Sequence, residues 1–181
     1  MQRTVIAIAL NATLLFAGVV PASAAISKTD VSMASFEGGY LNLRNGWGQA
    51  TACTSDGVST ECFRTEKQLD QYLTPVANPD GSQSLGDVGI QSVCSTTLRL
   101  YSGTSFGGSV LALSTRLAFL NLSAFSFDNV TSSYRVGACS STLYDGASGG
   151  APTYPGNTSA GASATSMLSG WDNRVSSVFI S

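Results

Sequence analysis

Histidine is absent from this chain of 181 residues. With it go the usual general base near neutral pH, the Ser-His-Asp and Cys-His arrangements, and every histidine-ligated zinc site. An enzyme built on this sequence would have to work through carboxylates alone, as glycosidases do, and no acidic pair stands in a context that marks it as catalytic. Charge is scarce too: Asp, Glu, Lys and Arg make up 11% of the residues, 9 basic against 11 acidic, with no run of either sign. A nucleic-acid partner needs a clustered basic surface, so none is expected. The four cysteines include no Cys-x-x-Cys pair, which argues against a four-cysteine zinc site. Past residue 20, no stretch is long and apolar enough to span a bilayer.

At the N-terminus stand Arg3, an apolar run over residues 4–20 interrupted at 11–13, and then "PASAA". A basic start, a short apolar stretch and small residues at Ala22 and Ala24 read as a secretory signal over residues 1–24, leaving a secreted chain of 157 residues. A membrane anchor fits less well, because a spanning helix needs about 20 apolar residues with little interruption. The mature protein is expected to be extracellular, free of the membrane and monomeric. In an oxidising compartment an even number of cysteines favours disulfides. Of three connectivities, Cys53 with Cys62 and Cys94 with Cys139 are favoured. The first pair flanks "TSDGVSTE", whose Asp56 and Gly57 signal a turn, so the two can face each other across a hairpin. The second pair belongs to an internal repeat.

Frequent Gly, Ser and Thr with little charge predict short strands joined by tight loops. Residues 25–75 read as a small hairpin-plus-helix region. "ATAC" and "VSTECF" form the hairpin, and "TEKQLDQYL" forms one short helix, with Thr65 and Gln68 at capping-box spacing and Leu69, Tyr72 and Leu73 on one face. Residues 76–93, rich in Gly and Pro at their start, read as a connection. Residues 94–181 then repeat themselves. "CSTTL" from Cys94 returns as "CSSTL" from Cys139, Tyr101 returns as Tyr144, and "DNVTSS" at 128–133 returns as "DNRVSS" at 172–177, at offsets of 45, 43 and 44. Three landmarks in one order at nearly one period imply a duplicated unit whose single face cannot bury a core without its twin. Strand signals in "LRLY", "SVLALS", "SSYRV", "STLY" and "SSVFI" predict two Greek keys packed as an all-β sandwich.

Residues 94–181 resemble the βγ-crystallin family, in particular its microbial calcium-binding, secreted members. One supporting signature is an aromatic, four residues, an aromatic, one residue and a glycine, matched by Tyr101, Phe106 and Gly108; the other is the paired hexapeptide with Asp or Asn twice, two free positions, Ser or Thr, and Ser. A single hexapeptide in a Ser-rich chain is weak, whereas two in register, preceded by Phe127 and Trp171, are specific. The resemblance implies calcium, a hard cation that takes roughly 6–8 oxygen ligands. Carried over, one clamp offers Asp128, Asn129 and the Val130 carbonyl, with Ser176 reaching across; the other offers Asp172, Asn173 and the Arg174 carbonyl, with Ser132 reaching back. The second unit departs from the pattern, with Gly149 and Ala151 where the aromatic and glycine belong, so its hairpin is expected to be altered, and Arg174 brings a cation near one ion.

The same Asp, Asn and Ser residues can fix a turn through side-chain to backbone hydrogen bonds without any ion. Trp47 and Trp171 read as core residues rather than a carbohydrate platform. Asn121, Asn129 and Asn157 begin N-x-S/T triplets, which matter only in a host that glycosylates them. The leading expectation is a secreted, non-enzymatic calcium-binding protein. As an alternative from a different class, an inhibitor of an extracellular (metallo)protease on the same fold would present a preorganised loop to a cleft. A carboxylate-based hydrolase would need two acids facing one groove.

Overall fold

The computed structural model describes residues 31–74 and 93–181. The expected signal (1–24) and residues 76–92 of the expected connection lie outside the described residues, while Val93 belongs to a strand. Two hairpins and a helix form first along the chain. Strands β1 (Met33–Phe36) and β2 (Gly39–Asn42) join through Glu37 and Gly38, both at positive φ, 50° and 78°. That backbone is the one a two-residue hairpin turn needs to match strand twist. Strands β3 (Ala52–Ser55) and β4 (Thr60–Phe63) pair with Cys53 directly opposite Cys62, and the two are bonded as a disulfide. Asp56 closes their turn by accepting hydrogen bonds from the Val58 and Ser59 N–H groups at 2.8 and 2.7 Å. Helix α1 (Glu66–Leu73) starts on the capping box that the Thr65 and Gln68 spacing implies, and it buries Leu69.

The duplicated region supplies β5 (Val93–Tyr101), β6 (Val110–Thr115), β7 (Phe119–Asn121), β8 (Ser133–Arg135), β9 (Ser141–Tyr144), β10 (Ser163–Ala164) and β11 (Ser177–Ile180). In each unit the third strand leaves its own sheet for the other: β7 pairs with β11, and β10 pairs with β8. Neither unit can therefore close a core alone, and the two Greek keys form the expected sandwich. The second unit lacks a full counterpart of β6; a single bridge between Tyr144 and Thr153 stands in its place. The Cys94–Cys139 disulfide links the start of β5 to the segment before β9, tying unit to unit.

The N-terminal strands extend this sandwich. β3 lies parallel to β6, from Ala52 beside Val110 to Ser55 beside Leu113, so one sheet of eight strands runs β10-β8-β5-β6-β3-β4-β1-β2, against a second of three, β7-β11-β9. One core is shared: Ala34, Leu43 and Cys53 pack with Leu98, Leu111, Leu122, Phe125 and Val178. On the outer face α1 lays Leu69 against Ala52, Tyr101, Val110 and Ala112. Arg99 binds Glu66 at 2.8 Å and Asp70 at 2.6 Å, and the Tyr101 hydroxyl donates to Glu66 at 2.8 Å.

Burial and the neighbouring Glu66 carboxylate push the Tyr101 phenol up to about 12 from an ordinary value of 10.0. A raised phenol in the fold means that its contribution is complete below pH 10, where both states are protonated, and is lost as pH climbs toward 12. Absorbance titration is expected to show one phenolate forming near pH 12 with stability falling over that window. Tyr101→Phe should remove that phenolate and lessen the fall in stability, to which the Tyr134 phenol, also raised by burial, still contributes, and a Tyr101 midpoint near 10 would contradict the packing.

Candidate metal centre between the two repeats

Both hexapeptides sit at the seam of the two units, each running into a strand, β8 or β11. Their second residues, Asn129 and Asn173, are left-handed at φ 56° and 54°, a conformation asparagine adopts more readily than most residues. That turn sends each backbone N–H across the seam: Asn129 donates to the Val175 carbonyl and Asn173 to the Thr131 carbonyl, both at 3.0 Å. Side chains follow the same exchange. The Ser176 hydroxyl donates to Asn129 Oδ1 and the Ser132 hydroxyl to Asn173 Oδ1, each at 3.4 Å. Asp128 and Asp172 lie beside their own asparagines, accepting from Nδ2 at 3.3 and 3.4 Å. Among the described residues, neither the Val130 nor the Arg174 carbonyl accepts a backbone hydrogen bond.

The sixth residue of each hexapeptide has a role that sequence reading left blank. Buried Ser133 accepts from the Phe106 N–H at 3.1 Å and donates to the Gly103 carbonyl at 2.6 Å; buried Ser177 accepts from the Gly149 N–H at 3.0 Å and donates to the Gly146 carbonyl at 2.6 Å. Each hydroxyl pins the folded hairpin of its own unit beside its clamp. The second hairpin is altered in its return strand, reduced to the single Tyr144–Thr153 bridge, but its turn keeps the shape of the first. Ser105 and Ser148 are both left-handed, at φ 54° and 51°, inside matching 3-10 turns at Thr104–Phe106 and Ala147–Gly149. The missing aromatic is replaced from elsewhere: Phe119 of β7 occupies the space above Gly149, 5.7 Å from Tyr144, as Phe106 stands 5.5 Å from Tyr101. Deleting either hydroxyl leaves a part-buried N–H and carbonyl without that partner, which costs about 0.5–1.5 kcal/mol. Ser133→Ala and Ser177→Ala should each lose that much stability in denaturant melts, and losses below about 0.5 kcal/mol would deny the pinning role.

Oxygen is the only donor element at the seam: carboxylate, amide, carbonyl and hydroxyl, the set a hard cation takes. Two oxygens bound at right angles to one calcium at about 2.4 Å lie about 3.4 Å apart, the separation of each Asn and Ser pair here. The donors fit calcium, with one carboxylate in each clamp. No cluster of three or more Asp, Glu, Cys or His suited to a metal occurs among the described residues, so an ion here depends mainly on neutral oxygens. The clamps differ in charge. Arg174 Nη2 binds Asp145 Oδ2 at 2.8 Å, its Nη1 donates to the Gly170 carbonyl at 3.2 Å, and its guanidinium lies 5.2 Å from the Trp171 ring centre. The hydrogen bond to Asp145 holds Arg174 more firmly protonated than usual.

Elsewhere, a groove beside α1 is lined by Asp56 and Asp70. Both carboxylates are engaged, Asp56 by its turn amides and Asp70 by Arg99.

No protein-family model matches the chain, and no curated protein matches it. Solved structures that resemble it include a βγ-crystallin from Ciona intestinalis, 22% identical, covering 47% of this chain and 99% of that one with a TM-score of 0.41. A βγ-crystallin domain from Flavobacterium johnsoniae is 17% identical over 46% of this chain and 92% of that one, with a TM-score of 0.38. A double mutant of clostrillin in complex with nickel is 16% identical over 46% and 95%, also at 0.38. Among the described residues, the strands exchanged between the units leave two Greek keys packed as one sandwich.

Proposed function

We propose that this is an exported, non-enzymatic βγ-crystallin-like protein whose two repeats are cross-linked by calcium. The observation that carries the reading is the reciprocity at the seam: Asn129 facing Ser176 and Asn173 facing Ser132, at the same distance and with mirrored backbone bonds. One ion would be held by Asp128, Asn129, the Val130 carbonyl and Ser176, the other by Asp172, Asn173, the Arg174 carbonyl and Ser132. Each ion draws donors from both units, so binding links the two halves and opposes their separation. Export is supported by the signal-like residues 1–24 and by two disulfides, bonds that persist in oxidising compartments.

Extracellular modules bind calcium with dissociation constants of roughly 10⁻⁴ to 10⁻³ M. At ten times that constant, linkage contributes about 1.4 kcal/mol per site. Two sites then raise the melting temperature by roughly 5–10 °C for a chain of this size. Melting the protein in calcium and in chelator tests this, with Ser132→Arg and Ser176→Arg alongside. Each replacement puts a cation and a bulky side chain where a ligand hydroxyl would stand, and should remove about half of the shift. Equal shifts in all three proteins would contradict the shared-ligand arrangement. Absence of any shift together with tight inhibition of a metalloprotease would replace this reading with the inhibitor one.

A further inference from the structure

Two-fold related positions at the seam carry different charges. Arg174 is the counterpart of Val130, and Asp145 that of Ser102, by the same offsets that relate the repeats. In the first unit Ser102 merely accepts the Ser109 N–H at 2.8 Å. In the second, Arg174 spans from the clamp to the hairpin and binds Asp145, and contacts with the Gly170 carbonyl and the Trp171 ring fix its course. We propose that Arg174 tunes the second clamp: by binding Asp145 it cancels that carboxylate's charge beside the clamp, so the second site binds calcium more weakly than it would without the arginine. The inference rests on the calcium reading above and concerns its regulation.

Two consequences separate it from a merely structural ion pair. Removing the arginine leaves Asp145 as an uncompensated negative charge close to the second clamp, so calcium should bind more tightly there. Removing the carboxylate leaves Arg174 as an uncompensated positive charge, so calcium should bind more weakly. Opposite signs from the two partners of one pair are the signature. A unit charge about 8 Å from divalent calcium in water changes its affinity about five-fold.

The test is calorimetric titration of the full chain with calcium chloride at low ionic strength, for the parent, Arg174→Val and Asp145→Asn. Arg174→Val installs the residue of the first clamp. Expected is one calcium site strengthened about five-fold by Arg174→Val and weakened about five-fold by Asp145→Asn, with the other site unchanged. Melts in chelator accompany the titration, and both variants should fall by similar small amounts there, since both lose the same pair. Variants that shift calcium affinity in the same direction, or not at all, overturn this proposal while leaving the calcium reading standing. No binding heat in any of the three overturns that reading and this proposal with it.

Discussion

Residues 93–181 produced without the N-terminal region are expected not to persist as a folded monomer. In the whole chain the β6 edge is covered by β3, and Val110, Leu111, Ala112 and Leu113 are all buried. Removal of the region bares that edge as a row of unpaired backbone groups beside apolar side chains, a template for pairing with other chains. It also takes away fully buried Leu43 from one core and fully buried Leu69 from the other. Loss of a buried leucine costs about 2–5 kcal/mol, against a total stability of about 5–15 kcal/mol. Further ties go with them: the Trp47 indole N–H donates to the Phe125 carbonyl, its ring packs 5.4 Å from Phe127, and the Ser126 hydroxyl donates to the Leu43 carbonyl. Size-exclusion and thermal melts of the fragment should show association and no cooperative transition. A monomeric fragment melting within a few degrees of the parent would mean that the eight-stranded sheet is dispensable.

Opening the Cys94–Cys139 bridge is the second large effect. It closes a loop of 45 residues and spans the two units, whereas Cys53–Cys62 closes 9 residues within one hairpin. Loop closure removes entropy from the unfolded chain in proportion to the logarithm of loop length, about 4 kcal/mol for the long loop and about 2.5 kcal/mol for the short one. The Cys94→Ser, Cys139→Ser double variant should therefore melt about 8–16 °C below the parent. The Cys53→Ser, Cys62→Ser double variant should lose less. The reverse order would show that the hairpin bridge, not the bridge between units, carries more of the stability.

Much of this was legible in the residues because it is local or periodic. The strand at Ser141–Tyr144, the Thr65 capping box, the Asp56 turn and the disulfide across it all depend on neighbours within a few positions. Repetition made the sandwich and the paired hexapeptides readable as well. What escaped is set by distant partners. β7 and β10 are three and two residues long, too short for an alternating pattern, and they are strands only because β11 and β8 lie beside them. Parallel pairing of β3 with β6 leaves no mark in either stretch, since side chains alternate in a strand whatever lies next to it. Phe119 replaces an aromatic absent from its partner unit, a substitution made in space rather than in register. At the seam, the hexapeptides pointed to the proposed donors, but Asp145, the partner of Arg174, stood 29 residues away with only the repeated tyrosine before it as a sign.

The central claim is that the two clamps complete one another around calcium. Isothermal titration of calcium chloride into the parent and into the Ser132→Arg, Ser176→Arg double variant addresses it most directly. Two ions bound by the parent and none by the doubly substituted chain, with both proteins folded in chelator, is the predicted result. Undiminished binding in the double variant, or none in the parent, would contradict it.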